Sequence, residues 1–232
     1  MHGTLQHLFD TSRPPRLTQR TAHRLMGHIA LTLLVFTIAA FALKVVVHPE
    51  RAARYTPLVI AHALSMLAWM GLLAAQAYLA AAQNMRIHTK LGVVSLSLVA
   101  FMSVTGMIVA INIGQELGRP EVTVVNIAAF VTFLPLYAAA LGFAKRREIH
   151  AHRLAMLIGT LAFMTPVYAR VTDVLGLPPQ VAIGVQPPLT IAIALGYDWW
   201  VLGRISKAAL GMLAFSIAVV MVMVGVLLVW FV

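Results

Sequence analysis

The sequence predicts an all-α, polytopic membrane bundle of about seven spanning helices, and three observations predict it. Of its 232 residues, 61% are hydrophobic and only 10% charged, and the mean hydropathy is +0.90. A water-soluble domain of this size does not carry that balance. The apolar residues come in sustained runs of about 20, the length at which a helix crosses the hydrocarbon core. The 17 Lys and Arg residues lie mostly in short segments between the runs. That distribution follows the positive-inside rule, so the net charge of +10 is read as topology and not as a nucleic-acid footprint. Cysteine is absent, which excludes disulfides, iron–sulfur clusters, zinc–thiolate sites and cysteine nucleophiles.

Each element follows from its local residues. Residues 1–25 form a basic tail, with Arg13, Arg16, Arg20 and Arg24 against Asp10, and Pro14-Pro15 opposes a long helix there. The tail is expected on the cytoplasmic side, its last part along the membrane surface. The remainder, 26–232, reads as one transmembrane domain. Span 1 covers about 26–47, too long for the apolar part of a signal peptide and without a small-residue cleavage site after it. Span 2 covers about 57–82 and span 3 about 89–113, after Gln83-Asn84-Met85-Arg86. The Gly and Pro of 114–120 make a tight outer turn, and span 4 covers about 122–143 with Pro135 as a kink. Span 5 covers about 152–170. Residues 171–186 read as an outer loop with an interfacial part. Pro187-Pro188 suits the first turn of a short span 6, about 187–203. Span 7 covers about 208–230. Seven spans place the N-terminus in the cytoplasm and the C-terminus in the periplasm. Twelve of the 17 cations then fall in the four inner segments, among them Arg86, Lys90, Lys145, Arg146, Arg147, Arg153, Arg204 and Lys207.

The inner helix starts repeat a pattern: a histidine, a cation one or two residues later, then leucine. It occurs at His23-Arg24-Leu25, at His88-Thr89-Lys90-Leu91 and at His152-Arg153-Leu154. His62, Met66, Trp69, Leu73, Gln76, Ala80 and Gln83 recur at steps of four and three along span 2, which puts them on one face. Span 5 has a matching face in His152, Met156, Gly159, Phe163, Pro166 and Arg170, and span 3 a small-residue face with Ser95 and Gly106. Polar groups are costly against lipid, so spans 2, 3 and 5 are expected to pack with these faces inward.

Depth divides the polar residues. His28, His88, His152, Gln76 and Asp198 lie toward the inner side, and His62 and Arg170 toward the outer. Asp198 ends span 6, where a carboxylate opposes the helix dipole and needs a cation from Arg204, Lys207 or an inner histidine. Imidazole ligates both haem iron and metal ions. His28, His88 and His152 are therefore candidate cofactor ligands for haem b, and His88, His152 and Asp198 candidate ligands for a divalent metal. The bland alternative keeps the rim histidines as headgroup contacts. His62, Gln76 and Arg170 make a candidate polar path, with local packing for His62 and snorkelling or an Asp173 pair for Arg170 as its alternatives. The 12 methionines form no copper-relay ladder.

The series His62, Trp69, Gln76, His88-Thr89-Lys90-Leu91-Gly92, His152-Arg153-Leu154-Ala155-Met156, Arg170, Tyr197-Asp198 and Gly203-Arg204 resembles a family of uncharacterised multi-span bacterial inner-membrane proteins. The resemblance covers roughly residues 57–210. The family usually has two arginines where this chain has Thr89-Lys90, and often a histidine near Ser206. More distantly, the helix starts are similar to cytochrome oxidase assembly proteins and to di-haem cytochrome b carriers. The resemblance implies a bacterial inner membrane and a redox setting: electron transfer or respiratory cofactor assembly, in contact with lipid and a respiratory or other membrane complex. Two rivals stay open: a small-molecule or proton transporter, and a non-catalytic accessory subunit.

Overall fold

Local sequence accounts for most helix boundaries. The computed structural model describes residues 14–231, and among these all regular structure is helical. The order is α1 (Gln19–Val47), a 3-10 segment (Pro49–Arg54), α2 (Pro57–Ala81), α3 (Met85–Glu116), α4 (Pro120–Lys145), α5 (Ile149–Leu161), a 3-10 turn (Ala162–Met164), α6 (Thr165–Val174), α7 (Pro179–Leu202) and α8 (Lys207–Phe231). Counting α5 to α6 as one, seven helices are long and apolar enough to cross a bilayer. The side chains of Thr18, Thr56 and Asn84 accept the free N–H groups at the starts of α1, α2 and α3. Proline occupies the first turn of α2, α4 and α7, where a missing donor costs little.

Four connections close in one way. The N–H groups of Asn84, Arg119, Glu148 and Leu177 donate to the carbonyls of Leu79, Gly114, Phe143 and Thr172, five residues back in each case. The residue before each donor is left-handed: Gln83, Gly118, Arg147 and Gly176, at φ 59°, 61°, 61° and 68°. Glycine takes that conformation freely. Gln83 and Arg147 take it at a steric cost.

Three boundaries differ from the sequence reading. Helix α1 starts at Gln19, so part of the expected tail is helix, with Ala22 and Met26 inside the bundle. Residues 1–13 of that tail lie outside the described residues. Span 5 is not continuous. Pro166 has no N–H for the carbonyl of Ala162, and the chain tightens to a 3-10 turn over Ala162–Met164. The expected loop 171–186 is mostly helix: α6 runs to Val174, and α7 begins at Pro179 and passes through Pro187-Pro188. Proline marks the α7 start, but at Pro179 and not at Pro187. Buried Gln186 ties the two segments, its Nε2 donating to the Leu161 carbonyl at 3.3 Å and to Thr190 Oγ1 at 3.2 Å.

The fifth span is central. In it 67% of the apolar window is buried, against 22–39% in the other six. Leu154, Ala155, Leu157, Ile158, Leu161 and Met164 are fully enclosed. It packs mainly against α4, α7 and α1. Spans 2 and 5 touch through Trp69 of the expected span 2 face, whose Nε1 donates at 3.1 Å across 91 residues to Oγ1 of Thr160, a residue outside the face expected on span 5. Between them α4 contributes Phe133 and Tyr137, whose rings meet Trp69 edge-on at 5.1 and 5.6 Å. Large apolar side chains such as Val35, Val93, Met221 and Val229 point outward, as lipid contact requires.

Candidate functional site at the basic end

Four junctions share one end of the bundle: the start of α1, α2–α3, α4–α5 and α7–α8. Two of them are built alike. The turn bonds of 82, 83 and 84 recur at 146, 147 and 148, and the histidines that follow, His88 and His152, occupy matching places. His88 Nδ1 is 3.1 Å from the carbonyl oxygen of Gln76, and His152 Nδ1 is 2.9 Å from that of Ala140, each twelve residues earlier. A carbonyl only accepts, so Nδ1 carries the proton in both rings. The lone pair is left on Nε2. This is the arrangement by which a backbone carbonyl fixes the tautomer of a ligating histidine.

The structure brings these two rings into one neighbourhood. His152 lies within charge–charge range of His88 and Arg153, and His23 within range of Arg153, His88 and His152. Arg153 is only 3% exposed. Tyr197 accepts from its guanidinium and in turn donates to the carbonyl of Ala22 at 3.4 Å. Arg153 therefore joins α5, α7 and α1.

Asp198 is fully buried and saturated. Its Oδ1 is 2.5 Å from His150 Nε2 and accepts from Ser206 Oγ at 3.0 Å, while Oδ2 accepts from Ser206 N at 2.5 Å. The side chain that meets it is His150, whose ring also stacks on Tyr197 at 6.0 Å. Ser206 is a second anchor and then caps α8 through Ala209 N.

The other candidates scatter. His28 is exposed and its Nδ1 pairs with Tyr78 Oη at 2.9 Å. Gln76 gives its backbone oxygen to His88, and its Oε1 is buried without a partner. Toward the opposite end, His62 Nδ1 lies 3.3 Å from Thr105 Oγ1 and within charge range of Arg170. The ring lies against Gly106, where a Cβ would fall 2.6 Å from His62 Cε1. Arg170 neither pairs with Asp173 nor reaches outward. Its Nη1 donates to the Pro166 carbonyl at 2.6 Å, and its guanidinium covers Phe41 at 3.6 Å. The carboxylate of Asp173 is taken by Lys44 and by Arg51 Nη1, the latter at 3.1 Å. The path His62, Gln76, Arg170 is thus split between the two ends.

Among the described residues, no three His, Asp or Glu side chains gather as a metal set. The proposed trio His88, His152 and Asp198 is divided, because the oxygens of Asp198 are spent on His150 and Ser206. Comparison with protein-family models, curated proteins and solved structures found no match. Sequence reasoning did not single out Arg153 or the His150–Asp198 pair. The only signal was that Arg153 is the cation of a helix-start motif, a property it shares with exposed Arg24 and Lys90.

Proposed function

We propose that the chain is a multi-pass protein of the bacterial inner membrane that holds haem b between His88 and His152 on its cytoplasmic side. Its role is then membrane electron transfer or respiratory cofactor assembly. One observation carries the reading: two neighbouring imidazoles with their Nδ1 protons committed to backbone carbonyls and their Nε2 lone pairs unspent. Two such histidines would be enough to hold a haem iron, whereas a bare divalent ion needs a third or fourth ligand. When bound, the haem would supply one-electron chemistry. The protein's own part is to fix both tautomers and to place the rings at the bundle rim. The test is a reduced-minus-oxidised spectrum of protein purified in mild detergent. A Soret band is expected, lost in His88→Ala and in His152→Ala and kept in His28→Ala. No band in the wild type, or a band surviving both rim substitutions, overturns the reading.

A second reading, transport, has its own support. The fifth span breaks at Ala162–Met164, beside a small crevice of about 20 Å³ lined in part by Thr132, Thr165, Gln186 and Ser216. Interrupted helices facing polar side chains mark substrate sites in transporters. Solute or proton flux into proteoliposomes that Gln186→Leu abolishes would favour this reading over the haem.

A further inference from the structure

Several buried side-chain atoms at the basic end have no hydrogen-bond partner: Gln76 Oε1, His150 Nδ1, and both Nε and Nη1 of Arg153. Arg153 is the most demanding. Its guanidinium stays charged at any accessible pH, it is 97% enclosed by the 3% exposure already given, and Tyr197 is its neutral partner. The nearby carboxylate, Asp198, has both oxygens occupied. No carboxylate among the described residues pairs with Arg153. A buried charge without a counter-charge is strongly unfavourable, more so where the imidazoles within charge range of it, His23 and His152, offer only neutral or positive forms.

From this we propose that Arg153 is the seat of a phosphate oxyanion that supplies the missing negative charge. The imidazoles are part-exposed and give the way in. Arg153 lies four residues past the start of α5, about 6 Å along the helix, just beyond the basic loop Lys145-Arg146-Arg147. A residue one turn inside the end of a membrane-crossing helix is within reach of lipid headgroups. A lipid headgroup and a free phosphate offer the same chemistry to the guanidinium. The inference does not rest on haem, since its occupant and its read-out are different.

The experiment uses the full chain in nanodiscs of neutral phosphatidylcholine. Two probes are added separately, phosphatidylglycerol within the disc and inorganic phosphate in solution. Native mass spectrometry counts retained lipid, and a thermal shift reports the free anion. Saturable retention of phosphatidylglycerol with no response to phosphate assigns the lipid source, and the reverse assigns the free anion. In either case Arg153→Gln should weaken binding about tenfold or more, the scale of a lost charge-assisted bond, and Arg146→Gln should change it little. If Arg153→Gln does not fold, Arg153→Lys, which keeps the charge but loses the planar donors, should still weaken it measurably. Wild-type protein that binds neither probe saturably, or binding undiminished in whichever Arg153 variant folds, overturns the proposal.

Discussion

The hairpins α2–α3 and α4–α5 carry the same turn and the same histidine, yet they occupy different surroundings. In the first, α3 is one unbroken helix of 32 residues with much of its surface outward. In the second, α5 stops after 13 residues and is enclosed by neighbours. The turn bonds match because both depend on residues within one or two helical turns. The surroundings differ because the second hairpin is also covered by α7 and α8. The cation of each motif records the difference: Lys90 is exposed, whereas Arg153 is buried. A local motif thus sets where a histidine points, and its place in the bundle decides whether the neighbouring charge meets water or protein.

The largest test of this comparison breaks the link between the hairpins. Trp69→Ala removes a ring that is 2% exposed, its bond to Thr160 and two edge-on ring contacts. Reversible unfolding in mixed micelles should show a loss of about 3–5 kcal/mol. A loss below 1 kcal/mol would mean that the hairpins are held together elsewhere.

Gly106→Ala comes next. A Cβ there would meet Phe130 Cζ at 2.5 Å and His62 Cε1 at 2.6 Å. The same assay should report about 1–3 kcal/mol of destabilisation from overpacking. Gly71, around which nothing lies within 4 Å, serves as the control for helical glycine replacement.

The two left-handed turn residues allow a direct comparison. Gln83→Gly and Arg147→Gly should each stabilise the protein by up to about 1 kcal/mol, because glycine relieves the positive φ. Equal gains would show that the turns are energetically alike as well as geometrically. A gain at one only would show that the other side chain contributes contacts of its own.

The smallest expected stability effect is at the histidines themselves. His88→Phe and His152→Phe each delete one bond to a backbone carbonyl, worth about 0.6 kcal/mol within a membrane protein. A much larger cost at His152 alone would mark the buried hairpin as the more constrained of the two.

By itself the sequence determined the seven apolar spans, the histidine starts of α3 and α5, and the opposite-end turn that uses Gly118 with Pro120. Hydropathy, helical period and turn chemistry act between residues close in the chain, so one sequence is enough to read them. It misplaced the start of α7, because Pro179 and Pro187 are both admissible first-turn prolines and packing chose between them. It also left the partner of Asp198 open among Arg204, Lys207 and the inner histidines. His150 lies 48 residues away and meets it because α5 and α7 adjoin. Only the tertiary structure decided that the fifth span is the centre, that His23 comes within charge range of Arg153 and His152, and that Arg153 is enclosed and does not snorkel to the surface. Those outcomes depend on which helix faces meet, and that is settled by side-chain packing over the whole bundle and by no single stretch of chain.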